Sequence, residues 1–195
     1  YLFTVPFAKE YVRVSVEKKL SDVVSRKVTV GAISGTIFSE IALSDVQISD
    51  DVVFSKQAFA HIDQVLVELT PLILLNNVRG FRTITFEGVS LNVVRNKQKK
   101  VNLFEFVRGV KLKGQGGHVR LDVNNISGTY IDLFGWGRSP KTFQHNFYGG
   151  HANIQLSSSS PIILSASLNL SDSSAKATIR GEMSRQMFHY DFEVT

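Results

Sequence analysis

At 195 residues, with 43% apolar and 20% charged side chains, the chain has an ordinary globular composition, which excludes disorder as its default state. It contains no cysteine, so disulfides, thiolate metal sites and a cysteine nucleophile are excluded. The net charge of +5 favours anionic surfaces only weakly and is spread too thinly to indicate nucleic acid.

The opening, Tyr1-Leu2-Phe3-Thr4-Val5-Pro6-Phe7, reads either as the exit of an upstream membrane helix or as the plain start of an amphipathic one. Alone it is far shorter than the ~20 residues that a span requires. The final residues sit inside a strand-like alternation, so both ends read as cut. Pro6 suits a first helical turn. From there to Ser25, Phe7, Tyr11 and Val14, then Val12, Val16, Leu20 and Val23, recur at three- and four-residue spacing, with Arg13, Glu17, Lys18 and Lys19 between them. The spacing predicts a helix, although the valines weaken it.

After Arg26 the pattern is β. Lys27-Val28-Thr29-Val30 alternates, Gly31 and Gly35 punctuate, and long alternating segments follow. In several of these the apolar phase slips by one residue: Ile41 and Leu43 to Val46 and Ile48, Ile62 to Val65, Phe86 to Val89 across Gly88, and Val123 to Ile126 across Asn124-Asn125. Each slip reads as a β-bulge, which bends a strand yet returns its apolar side chains to one face, or as a turn between shorter strands. Thr70-Pro71 to Leu75 and Asn102 to Val107 read as one-turn helices. Gly114-Gln115-Gly116-Gly117 marks the best boundary within the sheet. Phe134 to Pro140 and Ser157 to Pro161 read as loops. The alternation of Ile162 to Leu170 and Phe188 to Thr195 belongs to antiparallel strands with one dry and one wet face.

These segments, taken in order, resemble the AsmA-like and TamB-like proteins. The opening strands are matched by Lys27-Val28-Thr29-Val30-Gly31 and by Ile41-Ala42-Leu43-Ser44-Asp45-Val46-Gln47-Ile48. The next strand and short helix are matched by Ala60 to Leu72, the following strand by Phe81 to Val93, and its close by Val101-Asn102-Leu103. Gly128-Thr129-Tyr130-Ile131-Asp132 is similar to a later family strand. The resemblance covers residues 1 to 135, and residues 136 to 160 fit no family motif.

It implies a periplasmic protein, anchored to the inner membrane through an upstream helix, whose hydrophobic β-groove carries phospholipid or another acyl lipid between membranes. A partner in outer-membrane assembly, reached through missing C-terminal repeats, is a further implication. The fold expected is mainly β: a curved antiparallel trough with one N-terminal amphipathic helix and short one-turn helices. It is organised as a membrane-proximal helix (1–25), a first groove sub-unit (26–113) and a second, continuous with the first (114–195). A closed sandwich whose apolar faces bury each other is the competing architecture. The competing function is a structural or assembly module for outer-membrane protein biogenesis that uses the same face as core or partner surface.

The residues expected to line the groove are Ile41, Leu43, Val46, Ile48, Val65, Val67, Leu69, Ile84, Phe86, Val89, Leu91 and Val93. The basic run reads either as a solvated hairpin tip or as a contact for lipid headgroups through Arg95, Lys97, Lys99 and Lys100. No catalytic residue, cofactor, metal or nucleic-acid partner is expected. The five histidines are scattered, with His145 and His151 closest. Gly31-Ala32-Ile33-Ser34-Gly35 misses the nucleophile-elbow pattern, and the glycines at 114, 116 and 117 lack the spacing of a dinucleotide loop.

Overall fold

Pro6 opens helix α1 (Pro6–Val24), which ends where Ser25 turns to a left-handed φ of 56°. The structure is a computed structural model that describes residues 6–35, 40–69, 81–109, 118–134, 142–157, 162–170, 176–183 and 188–194. Strands β1 (Val28–Gly35), β2 (Glu40–Ser49), β3 (Ala58–Leu69) and β4 (Phe81–Arg95) follow α1. Helix α2 (Asn102–Gly109) then precedes β5 (His118–Asp132), β6 (Phe143–Ser157), β7 (Ile162–Leu170), β8 (Lys176–Met183) and β9 (Phe188–Val194). The nine strands of the described residues form one open sheet whose spatial order is the sequence order.

Three expectations need correction. The sheet is not wholly antiparallel, because β4 and β5 run parallel. A parallel pair needs a crossover rather than a hairpin, and α2 stands in the connection between them. Asn102 begins a helix of eight residues, not a single turn. Nor is α1 cleanly amphipathic: Val12, Val16, Leu20 and Val24 pack inward, while Tyr11 and Val14 are exposed on its far side. The one-turn helix expected at Thr70 to Leu75 lies outside the described residues.

The free edge of β1 is closed by α1. An edge strand presents backbone groups that no neighbouring strand takes. Here Glu17 accepts the Val30 N–H at 2.7 Å and Ser21 Oγ accepts the Val28 N–H at 2.9 Å. Arg13 donates to the Val30 carbonyl at 3.0 Å. Residues four apart rise ~6 Å along a helix, close to the ~6.6 Å between alternate residues of a strand. Glu17 and Ser21, four apart, therefore keep step with Val30 and Val28, two apart.

A crease crosses the sheet. Gly31 lies opposite Asp45, Asp45 opposite Asp63, Asp63 opposite Gly88 and Gly88 opposite Asn125, while the pairing on either side keeps its register. Asp45, Gly88, Asn125 and Gly149 take φ of 52°, 65°, 54° and 61°. The apolar residues step by three across this line, Val30 to Ile33, Leu43 to Val46, Ile62 to Val65, Phe86 to Val89 and Val123 to Ile126, and on β2, β4 and β5 a left-handed residue breaks the alternation. From β1 to β4 these slips are therefore neither one-strand bulges nor turns, because successive strands deviate together. Between β5 and β6 the pairing does shift, from Val123 to Gly128, as a bulge requires.

Candidate functional site

Residues paired across neighbouring strands share a face. One register row, Ile33–Leu43–Val65–Phe86–Val123–Ala152–Ala166–Ile179–Phe192, crosses all nine strands and is apolar at every position. The next row on that face runs Ile41–Val67–Ile84–Leu121–Ile154–Leu164. The row between them runs Ser34–Ala42–Leu66–Thr85–Asp122–Asn153–Ser165–Arg180–Asp191 and turns polar from Thr85 onward. On this opposite face His61 Nε2 meets Asp45 Oδ1 at 2.8 Å, and Asn153 donates to Asp122. The hydrogen bond from His61, then that from Gln47, holds the Asp45 carboxyl below its ordinary range.

The apolar face changes character along the sheet. Over β1 to β3 it is largely closed: Val28, Val30, Leu43, Val46, Ile48, Ala60, Ile62 and Val65 are buried and Ile41 and Val67 half-buried, with α1 packed against them and Leu103 and Phe106 of α2 joining the same cluster. From β4 onward the same face is mostly half-buried, at Ile84, Phe86, Leu91, Leu121, Val123, Ile126 and Ile154. Val89 and Val93 remain buried.

Of the groove residues named from sequence, Ile41, Val67 and Ile84 share one row and Leu43, Val65 and Phe86 another. Val46 joins Val89 through Ile62, and Ile48 joins Leu91 through Ala60. Val93 stands two residues beyond Leu91, and the Leu69 side chain lies outside the described residues. Ala60 and Ile62 complete these rows and were not among the residues named. Leu121, Ala152, Ile154 and Ala166, which carry the face beyond β4, were also missed. Their alternation was the available signal.

A polar latch holds α2 across the sheet end. Asn102 is wholly buried: its Oδ1 accepts the Val94 N–H at 2.9 Å, and its Nδ2 donates to Asp50 Oδ2 at 2.7 Å and to the Asn92 carbonyl at 2.8 Å. Arg26 pairs with Asp50 at 3.0 Å and stands 4.9 and 5.4 Å over the rings of Phe59 and Phe106. Burial pushes the Asp50 carboxyl up, against the opposing pull of Asn102, the Asp51 N–H and Arg26. Val24, Arg26, Asp51, Val52 and Glu105 line a cleft of about 420 Å³ beside this latch.

The basic run is a tight turn leading into α2, closed by the Asn96 N–H to Lys100 carbonyl bond at 2.9 Å. Lys97, Lys99 and Lys100 are exposed. Arg95 is committed to the fold, with Asp132 at 3.2 Å and the Phe134 ring at 5.0 Å. Among the described residues, no group of three His, Asp or Glu side chains is placed to hold a metal, and no helix is long and apolar enough to cross a membrane. No protein-family model matches the chain, and no curated protein matches it.

Proposed function

We propose that the apolar face, beyond the part covered by α1 and α2, holds the acyl chains of a phospholipid in a groove. The observation that carries this reading is the apolar register row that crosses nine strands, buried on β1 to β3 and half-buried from β4 to β7. Exposing an acyl chain of ~14 methylenes to water costs on the order of 11 kcal/mol, and a continuous dry surface removes most of that cost without a catalytic group. The crease supports the reading, because successive strands step together along one line and their apolar residues return to one face. The resemblance to AsmA-like and TamB-like proteins supports passage of lipid between envelope membranes, with this chain on the periplasmic side of the inner membrane.

The test places photo-crosslinking residues at Leu91 and Leu121, on the apolar face, and at Thr85, on the other. Phospholipid captured at the first two and not at Thr85 is the expected result. A second variant, Leu91→Arg, is expected to stay folded by circular dichroism, because its guanidinium can reach the groove mouth, and to lose captured lipid. Global unfolding of Leu91→Arg instead, or capture of protein in place of lipid, would assign the face to packing and assembly.

A further inference from the structure

We propose that the α2 end of the sheet is a docking surface for anionic lipid bilayers, distinct from the acyl-binding face and independent of that reading. Three connections meet there: residues 50–57 between β2 and β3, the turn at 96–100 with α2, and residues 133–134 after β5. The Asn102 to Asp50 bond joins the first two, and the Leu133 N–H joins the third to the Arg95 carbonyl at 2.9 Å. Each of these segments shows large apolar side chains to solvent. Val52 is 84% exposed, Phe104 62% and Val107 57%, with Phe134 at 40%.

Phe104 and Val107 stand three apart on α2, away from the Leu103 and Phe106 side that packs into the core. Single exposed apolar residues are ordinary on protein surfaces. Here they gather on three adjoining segments, where the core does not need them.

The charge beside them is basic. Lys97, Lys99 and Lys100 make no ion pair among the described residues. Lys99 Nζ stands 4.7 Å over the Phe134 ring, so a cation and an aromatic ring reach solvent together. Nearby carboxylates are largely engaged: Asp50 by Arg26, Asp132 by Arg95 and Glu105 by Arg108. Asp51 is the exposed exception. Apolar tips that enter the headgroup layer, flanked by lysines that meet its phosphates, fit an anionic bilayer.

The experiment is co-sedimentation of the whole chain with phosphatidylcholine vesicles, with and without phosphatidylglycerol. Binding is expected to the anionic vesicles alone and should fall as salt rises. Replacing Lys97, Lys99 and Lys100 by Gln should lower the partition coefficient about fivefold per lysine, on the order of a hundredfold together. Phe104→Ser with Val107→Ser should abolish binding with the circular dichroism spectrum unchanged. Tyr11→Ser with Val14→Ser, on the exposed side of α1, should keep it. Leu91→Arg should keep it too, which separates docking from acyl binding. Equal binding to neutral vesicles, no vesicle binding by the folded chain, or binding lost through α1 and not through α2 would overturn the proposal.

Discussion

Glu17 of α1 accepts the backbone N–H of Val30 at 2.7 Å and takes the Arg13 guanidinium at 2.6 Å with the same carboxylate oxygen. One side chain thus serves a strand edge and orders the residue that serves the neighbouring carbonyl. Glu17→Ala is expected to cost about 1.5–3 kcal/mol, the range for a hydrogen bond to a charged group. Glu10→Ala removes only an exposed pairing with Arg13 and should stay within about 0.5 kcal/mol. Urea unfolding of both variants checks this. Equal losses would mean that water serves the edge as well as Glu17 does.

A second prediction concerns the crease. A Cβ at Gly88 would stand 2.6 Å from Asp63 Cγ, and the residue holds a φ of 65°. Gly88→Ala should therefore destabilise by roughly 2–4 kcal/mol, the left-handed penalty plus displacement of Asp63. Asn125→Gly, at a φ of 54°, should be tolerated within about 1 kcal/mol because glycine takes that conformation freely. Thermal unfolding of the two variants should rank them in this order.

A third prediction separates the covered from the half-buried part of the apolar face. Leu43 is buried under the first strands' core, and Leu43→Ala should cost about 3–5 kcal/mol. Leu121 lies in the adjoining row but is half-buried, and Leu121→Ala should cost under about 2 kcal/mol. Matching losses in denaturant unfolding would show that the face is packed equally along its length.

The pH dependence of the latch follows from Asp50. Burial raises its folded-state carboxyl above the ordinary value of 3.8, so between that value and the raised one the folded chain holds more proton than the unfolded chain. Its contribution is full below the ordinary value and is lost as pH rises through the raised one. Stability measured relative to Asp50→Asn should therefore fall as pH increases from the ordinary carboxylate range. A difference that grows with pH would show that Arg26 and Asn102 outweigh the burial of the charge.

The alternation of single segments was legible from sequence because it depends only on which side chains prefer water. The phase slips were legible too, but their cause was not. Gly31, Asp45, Asp63, Gly88 and Asn125 become a crease only when strands far apart in sequence are set side by side, and no single segment records that alignment. The helix-to-edge contacts were hidden for a related reason. Arg13 and Glu17 look like solvent residues on a helix, and their partners are backbone groups that every residue has. Residues 51–54 form an exposed turn, yet the side chain of Asp50 just before it is buried against Arg26 and Asn102. The parallel β4–β5 pair was missed because strand direction is decided by the length and path of the crossover, which alternation does not encode.

The identity of spatial and chain order bears on how the sheet comes to exist. Each strand's template is the strand made just before it, so the sheet can zip up from one end as the chain is synthesised. Growth starts from a strand whose outer rim is already occupied by α1, which leaves one direction for addition. The one interruption is the β4–β5 step, where the chain must cross over through α2 before the next strand can be laid down. The Asn102–Asp50 contact ties that crossover helix to the connection between β2 and β3, so α2 has a seat on strands that precede it in the chain.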